Sequence, residues 1–329
     1  MCVAALVAVA LVVAVVFAAS AGGSWFAWPP RRAGSVAATA GSRAGADTGT
    51  DGSGTVPASG EVDRTAVPEP NARIGRQRGM DALGDEIRAR LAGYQGDWQV
   101  YVEDLASGAS VSIDPHAGYA ASVIKLYVML AVFQRMADGA MTDDASTNQL
   151  LTQMITVSSN EATNTLVSAL GGGDMNAGFS VVNEIAARYG FGSSHISQAL
   201  GVVPIDPDGK VTTADDAGRF MAAAYRGSLV NADSSRRMLD LLLGQTRRAK
   251  IPAGVPAGTV VANKTGENTG VENDAAVVFA GADTTGAIDG SATQGDYVLV
   301  VMSSGVDAGS AQASIRELSA MVWEAMRRM

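Results

Sequence analysis

Ser122 and Lys125 stand three residues apart inside an apolar stretch that runs from Gly118 to Phe133. Apolar residues fall on all sides of this stretch at the helical period, which predicts a helix buried on every face. Side chains three apart share one helix face, so we expect the hydroxyl to lie beside the amine. Burial lowers the pKa of a lysine, and a neutral lysine can take the proton of a serine. The pair predicts an activated nucleophile, and the positive helix start would stabilise an oxyanion.

Composition excludes several other kinds of chemistry. The formal charge is -9 with no long basic run, so nucleic acid is not an expected partner. Cys2 is the single cysteine, and His116 and His195 are the two histidines. Neither the ligands nor the spacings of a zinc site are present, so we expect no metal and no cofactor. We interpret both histidines as ordinary loop residues and not as members of a Ser-His-Asp triad.

The chain begins with a continuous apolar run, Val3 to Ala19, followed by the small residues Ala19-Ser20-Ala21. This predicts a signal peptide or an N-terminal membrane anchor within residues 1–28. No positive residue precedes the run, whereas Arg31 and Arg32 follow it. Two alternatives stay open: the true start lies upstream and the segment is cleaved, or the segment remains as an anchor.

Residues 29–80 are rich in Ala, Gly, Ser and Pro and predict a disordered tether. We therefore expect the remaining domain, residues 81–329, to lie outside the cytoplasm, secreted or tethered to the outer face of the membrane. Membrane contact is expected only through the N-terminal segment. A monomer is expected.

Residues 81–329 begin with a helical pattern and two alternating strand-like segments, continue with a helical middle, and end with three strand-like segments and a helix. The expected helices include Met80–Ala92 and Ala308–Arg328, and the expected strands are Trp98–Leu105, Ser110–Ile113, Thr259–Ala262, Ala275–Ala280 and Tyr297–Ser303. This order predicts an α+β fold. An antiparallel sheet of about five strands would carry the terminal helices on one face and an all-helical subdomain on the other. The long segment from Gly190 to Val211 is expected to border the active site.

Three short motifs occur in a fixed order: Ser122-x-x-Lys125, Ser158-x-Asn160 and Lys264-Thr265-Gly266. Ser146-Thr147-Asn148 has the same spelling as the middle motif, but the residues around Ser158 fit better. With these motifs, residues 81–329 resemble class A β-lactamases and penicillin-binding proteins. The resemblance implies the β-lactamase/transpeptidase-like fold and a serine hydrolase that works through an acyl-enzyme.

The resemblance also implies catalytic roles. Ser122 would be the acylated nucleophile, and Lys125 its base or part of the proton relay. Ser158 would carry a proton to the leaving nitrogen. The backbone N–H groups of Ser122 and Glu267 would form the oxyanion hole.

The remaining motif residues are implied to bind the substrate, a β-lactam or a peptidoglycan-peptide-like molecule with a carboxylate. Asn160 would hold the side-chain amide of the substrate. Lys264 and Thr265 would receive the carboxylate, which agrees with the preference of carboxylates for a cation and a hydroxyl. Gly266 would let the strand approach closely.

The sequence departs from the family pattern in the loop that normally carries a glutamate to activate the deacylating water. No glutamate occurs between Gly190 and Thr213, and Asp206 and Asp208 stand in a turn-like sequence. Glu272 is a second candidate base without positional support. Three hypotheses stay open: a β-lactamase, a D,D-peptidase-like penicillin-binding enzyme with slow deacylation, and a non-catalytic cell-wall-binding protein. Arg247, Arg248 and Lys250 precede the third expected strand and could help to attract an anionic substrate, but we favour their interpretation as a solvated charge cluster.

Overall fold

A computed structural model describes residues 70–281 and 294–329. The predicted signal peptide or anchor, the tether as far as residue 69, and most of the expected loop between residues 283 and 295 lie outside the described residues. Among the helices that are described, none is long and apolar enough to cross a membrane.

Along the described chain, the first and last strands of the main sheet are separated by a series of helices. The helices are α1 Pro70–Leu91, α2 Lys125–Ala137, α3 Ala145–Thr156, α4 Asn160–Leu170, α5 Met175–Arg188, α6 Ala214–Tyr225, α7 Ala232–Leu243, α8 Ile251–Gly254 and α9 Ala308–Arg328. The strands are β1 Asp97–Asp104, β2 Ser110–Ile113, β3 Gly118–Tyr119, β4 His195–Ile196, β5 Lys210–Thr212, β6 Val260–Asn268, β7 Val271–Phe279 and β8 Tyr297–Ser304. A 3₁₀-helix, Ala121–Ile124, directly precedes α2.

The main sheet is antiparallel, with five strands in the order β2-β1-β8-β7-β6. Strands from the two ends of the domain meet at its centre, where Val100 of β1 lies opposite Val301 of β8. Strand β6 is an edge strand, so one of its sides is available to other parts of the protein. A smaller sheet of β3, β5 and β4 lies outside the main one.

Both faces of the main sheet are covered, as the sequence predicts. Side chains alternate along β1, so Val100 and Val102 join the core formed with α1 and α9, whereas Tyr101 joins the core around α2. Every residue of β7 is buried. The α+β prediction and the placement of the helices on the two faces are confirmed.

Three local predictions are corrected. Helix α1 begins at Pro70, so residues 70–80 are helical and not part of a disordered tether; Arg76 pairs with Asp104, and Gln77 Nε2 donates to Ser110 O at 2.9 Å. The predicted helix from Gly118 is interrupted, because Gly118–Tyr119 pairs as a strand with β5 and a 3₁₀-helix follows. The strand expected at Thr259–Ala262 extends further, because β6 runs from Val260 to Asn268 and contains the Lys264 motif.

Candidate active site

The 3₁₀-helix holds Ser122 in a sharp turn between β3 and α2. Ala121, the preceding residue, has φ 47°, a left-handed backbone conformation that a residue with a Cβ rarely adopts. Such strain persists only where surrounding contacts impose it, and it is common at active sites. One of those contacts comes from Asn273 of β7, whose Nδ2 donates to Tyr119 O at 3.0 Å and Ala120 O at 3.2 Å. The sheet therefore fixes the backbone that presents Ser122.

Replacement of Asn273 by alanine tests this support. Asn273 is fully buried, and its Oδ1 also accepts a hydrogen bond from Ser303 N at 3.0 Å. Its loss leaves buried main-chain groups without partners, at a cost of about 1–3 kcal/mol of unfolding free energy. We expect a lower Tm together with slower reaction of Ser122 with an acylating reagent. A lower Tm with an unchanged rate would show that Asn273 supports the fold and not the serine.

Lys125 is fully buried at the start of α2, where every residue from Lys125 to Phe133 is buried. Its Nζ donates to Ser158 O at 2.6 Å, Ser158 Oγ at 3.1 Å and Asn160 Oδ1 at 2.9 Å. An ammonium has three donors, so these contacts use all of them. Side chains at i and i+3 of a 3₁₀-helix eclipse one another, which places Ser122 on the side of Lys125. The direct bond expected from Lys125 to Ser122 is replaced by bonds to Ser158 and Asn160.

Burial lowers the pKa of Lys125 to about 7, and the guanidinium of Arg247 acts in the same direction, while Glu267 opposes it. At neutral pH, a substantial fraction of this lysine is therefore uncharged. An uncharged amine with a free lone pair can accept a proton.

Ser158 links Lys125 to a second buried lysine. Lys264 of β6 donates to Ser158 Oγ at 3.0 Å, while Lys125 donates to the same oxygen at 3.1 Å. A serine hydroxyl accepts two hydrogen bonds and donates one, so the Ser158 proton remains available. Ser158 has φ 60°, so it is a second residue of the site with a left-handed backbone conformation. The arrangement can pass protons between the two amines and a group bound in front of Ser158.

Lys264 and Thr265 lie almost fully buried on β6. Burial, followed by the nearby charge of Lys125, lowers the pKa of Lys264. The Thr265 Oγ1 hydroxyl is buried and has no hydrogen-bond partner among the described residues. Burying a hydroxyl without a partner is costly, so this oxygen is suited to a ligand group that supplies the missing bond.

The main chain of β6 offers donors at its free edge. Val261 O accepts from Arg248 at 2.7 Å and Thr265 O accepts from Lys264 at 2.9 Å, so these carbonyls point away from β7. Main-chain groups of alternate residues point to the same side of a strand, so the N–H of Glu267 also faces the free edge. The strand runs very close to the Ser122 turn, since a Cβ on Gly266 would lie 2.6 Å from Ala120 O. β6 and the turn that carries Ser122 are therefore in close contact at Gly266.

A cleft of about 200 Å³ opens in front of Ser122. Its polar wall consists of Tyr119, Asn160, Lys210, Glu267 and Asn268. An apolar part of the lining comes from the loop between β4 and β5, with Leu200, Gly201, Val202, Val203 and Ile205. This confirms the expectation that the long loop borders the site.

The acidic residues considered as deacylating bases lie elsewhere. Asp206 accepts from Asp208 N at 3.0 Å and, through its carbonyl, from Gly209 N at 3.1 Å, which is the turn expected from the sequence. Glu272 is buried and accepts from Lys250 Nζ at 2.8 Å. None of these three carboxylates is among the groups lining the cleft, where Glu267 supplies the acidic side chain.

The interpretation of Arg247, Arg248 and Lys250 as a solvated cluster is wrong for the buried Lys250, whereas the Arg247 side chain is 51% exposed. Lys250 is only 1% exposed and pairs with Glu272 and Glu267, while Arg247 pairs with Glu267. Arg248 donates to Val261 O and to Asn263 Oδ1 at 3.1 Å.

Sequence reasoning missed Asn273 and the side chain of Glu267. Asn273 stands nine residues after Lys264 on the neighbouring strand, and no local pattern marks it. A sequence signal existed for Glu267, because a carboxylate directly after Lys264-Thr265-Gly266 is unexpected beside a site for an anion.

Comparisons with known proteins identify the family and the fold of this chain. The sequence profile of the beta-lactamase enzyme family matches residues 82–147 and 142–326, which is more than half of the chain. No curated protein matches the sequence.

Solved structures share the fold at low identity. The structure of PBP-A is 23% identical with a TM-score of 0.63, covering 75% of this chain and 97% of that one. A β-lactamase from Streptosporangium roseum is 20% identical with a TM-score of 0.62, covering 76% and 100%. An ancestral class A β-lactamase is 22% identical with a TM-score of 0.61, covering 74% and 99%. The fold is thus β-lactamase/transpeptidase-like, and the chain belongs to the beta-lactamase enzyme family.

Proposed function

We propose that this protein is a serine acyl hydrolase that opens β-lactam or related cell-wall amides through an ester on Ser122. The observation that carries the proposal is the Ser158 hydroxyl, which is bonded by two buried lysines next to the Ser122 turn. A buried lysine is costly to the fold, and two sharing one hydroxyl are more so. A reaction that requires an uncharged amine and a transferable proton would explain why both lysines are buried here.

In the proposed acylation, Ser122 Oγ attacks the carbonyl carbon of the substrate amide while Lys125 accepts the hydroxyl proton. The developing oxyanion accepts hydrogen bonds from the N–H groups of Ser122 and Glu267. The C–N bond then breaks, and the Ser158 hydroxyl donates its proton to the leaving nitrogen. Lys125 or Lys264 returns a proton to Ser158 along the bonds described above.

The proposed substrate contacts use the motif residues of β6 together with Asn160, which lines the cleft. A substrate carboxylate would accept from the unpartnered hydroxyl of Thr265 and from Lys264. The Asn160 side chain, whose Oδ1 is bonded to Lys125, would use its Nδ2 for an acyl-side amide. Gly266 permits the required approach of β6 to the serine turn.

A second candidate, a D,D-peptidase-like penicillin-binding enzyme with slow deacylation, is favoured by the apolar loop. Val202, Val203 and Ile205 are 44%, 84% and 43% exposed and line the cleft where the family usually places a water-activating glutamate. Glu267, the carboxylate of the cleft, is held by two cations, which makes it a weak base. A variant of PBP-A has been solved as an acyl-enzyme complex with penicillin G.

We also propose that the enzyme works outside the cytoplasm, secreted or held by the N-terminal segment. The apolar run from Val3 to Ala19 and the cell-wall chemistry of the proposed substrates support this location. A non-catalytic cell-wall-binding protein is the weakest candidate, because binding alone does not require two buried lysines.

Intact-protein mass spectrometry of the full chain mixed with benzylpenicillin tests the proposal. We expect one adduct of the mass of the penicillin, absent from Ser122→Ala, and persisting for hours if deacylation is slow. An adduct that disappears within seconds would support a working β-lactamase and exclude the second candidate, the slow-deacylating enzyme. Labelling that survives in Ser122→Ala would place the nucleophile elsewhere, and no labelling of the wild type would favour the non-catalytic candidate.

A further inference from the structure

The carboxylate of Glu267 occupies an unexpected place in the cleft. Glu267 lines the cleft together with Ser122, and it stands two residues after Thr265 on β6. Side chains two apart on a strand point to the same face, so this carboxylate lies on the same side of β6 as the unpartnered hydroxyl of Thr265. An anionic group bound at Thr265 would therefore meet a second negative charge.

Two cations besides Lys264 lie close to Glu267, and both are already paired with carboxylates of the protein. Arg247, half-exposed, forms an ion pair with Glu267. Lys250 Nζ lies 3.1 Å from Glu267 Oε1 and 2.8 Å from Glu272 Oε2. Burial raises the pKa of Glu267, but Lys250 and Arg247 outweigh this and lower it below the ordinary value. Glu267 is consequently ionised at neutral pH.

Of these two cations, Arg247 is the one that a substrate could recruit. Lys250 is buried and fixed between two carboxylates, whereas the Arg247 side chain is 51% exposed and has Glu267 as its ion-pair partner among the described residues. A substrate carboxylate near Thr265 can form a full ion pair with Arg247 only if it displaces Glu267 from that arginine. Built-in repulsion of this kind is a common source of specificity.

We propose that Glu267 is a specificity-determining residue, whose carboxylate competes with the substrate's carboxylate for Arg247 and so selects against anionic groups on the nitrogen side of the scissile amide. The proposal rests on the proposed function, since it concerns the same cleft. Lys264 and Thr265 alone would favour substrates with a carboxylate at this position. Glu267 is expected to reduce that preference, so that substrates with an uncharged group react relatively faster than they would without Glu267.

A purely structural role for the ion pair makes a different prediction. If Glu267 only braces β6 against Arg247 and Lys250, its loss changes the reaction with charged and uncharged substrates by the same factor. Effects on the oxyanion hole, or on the pKa of Lys125, also act equally on two substrates that share one scissile amide. A ratio of rates for such a pair isolates the charge effect.

The test compares benzylpenicillin with its methyl ester, which differ in the charge of the carboxylate. Second-order acylation rate constants are measured by intact mass for the wild type, Glu267→Gln and a control, Glu317→Gln. Glu317 of α9 pairs with Arg90 on the surface at 2.6 Å, away from the cleft. We expect the acid-to-ester ratio to rise about tenfold in Glu267→Gln, as loss of one nearby like charge in a partly solvated site predicts, and to stay constant in Glu317→Gln.

An unchanged ratio in Glu267→Gln would overturn the proposal, and a lower ratio would mean that Glu267 assists the capture of the carboxylate. Equilibrium binding of the same two compounds to Ser122→Ala, with and without Glu267→Gln, gives a second ratio that needs no acylation. If no protein is acylated, the proposed function fails, while this binding ratio still decides whether Glu267 selects against the carboxylate.

Discussion

Replacing Lys125 by glutamine is expected to slow acylation of Ser122 by benzylpenicillin by about 10²–10⁴-fold, the usual contribution of a general base. Glutamine keeps donors for Ser158 and Asn160, the two residues that Lys125 contacts through its Nζ, but it cannot accept a proton at neutral pH. Stopped-flow or quenched-flow mass measurements of the acylation rate constant check the prediction, and Tm checks that the variant folds.

The pH dependence of the wild-type acylation rate is an independent test of Lys125 as the general base. Because the pKa of Lys125 is lowered to about 7, the fraction of uncharged amine falls as the pH drops below that value. The acylation rate should therefore decline by a factor of about ten per unit on the acid side and level off above the pKa. This inflection should be missing in Lys125→Gln. If Lys125→Gln is acylated at a rate within tenfold of the wild type and with the same pH profile, the general base is a group other than Lys125.

Replacing Val203 by glutamate is expected to shorten the lifetime of the acyl-enzyme by about 10²-fold or more, within the range of general-base catalysis. Val203 lines the cleft with Ser122 and is 84% exposed, so a longer polar side chain can be accommodated without entering the core. An ionised carboxylate there can take a proton from a water molecule that attacks the Ser122 ester. The lifetime is read from the decay of the adduct mass after removal of free penicillin.

Val203→Gln is the matched control, because it has the same size and polarity without a basic carboxylate. We expect its adduct to persist as long as that of the wild type. Equal lifetimes for the glutamate and glutamine variants would mean that lack of a base on the loop is not what limits deacylation. The slow-deacylation candidate would then need another physical cause.

Much of the fold could be predicted because its signals are local. The final helix was expected at Ala308–Arg328 and is observed with those bounds, since its apolar period and its flanking residues lie within the segment itself. The strands of β1 and β2 follow alternation over a few residues, and the five-stranded sheet follows from the order of the elements. The site motifs were also visible, because each spans only three or four residues.

The boundaries near the site were less predictable. The stretch from Gly118 to Phe133 is apolar throughout, which fits a single helix, but pairing of Gly118 with Thr212 forces a strand and a 3₁₀-turn before α2. Tertiary contacts override local propensity in such cases.

The sequence by itself determined the fold class and singled out the candidate side chains of the site. Only the tertiary structure decided what those side chains do to one another: that Lys125 bonds to Ser158 rather than Ser122, that Asn273 holds the serine turn, and that Glu267 faces Arg247. These partners are 33, 154 and 20 residues apart in the chain, too far for any periodic pattern to record. Hydrogen bonds and charges act over a few ångströms in space, so the contacts that tune the site arise only when the sheet brings distant segments together.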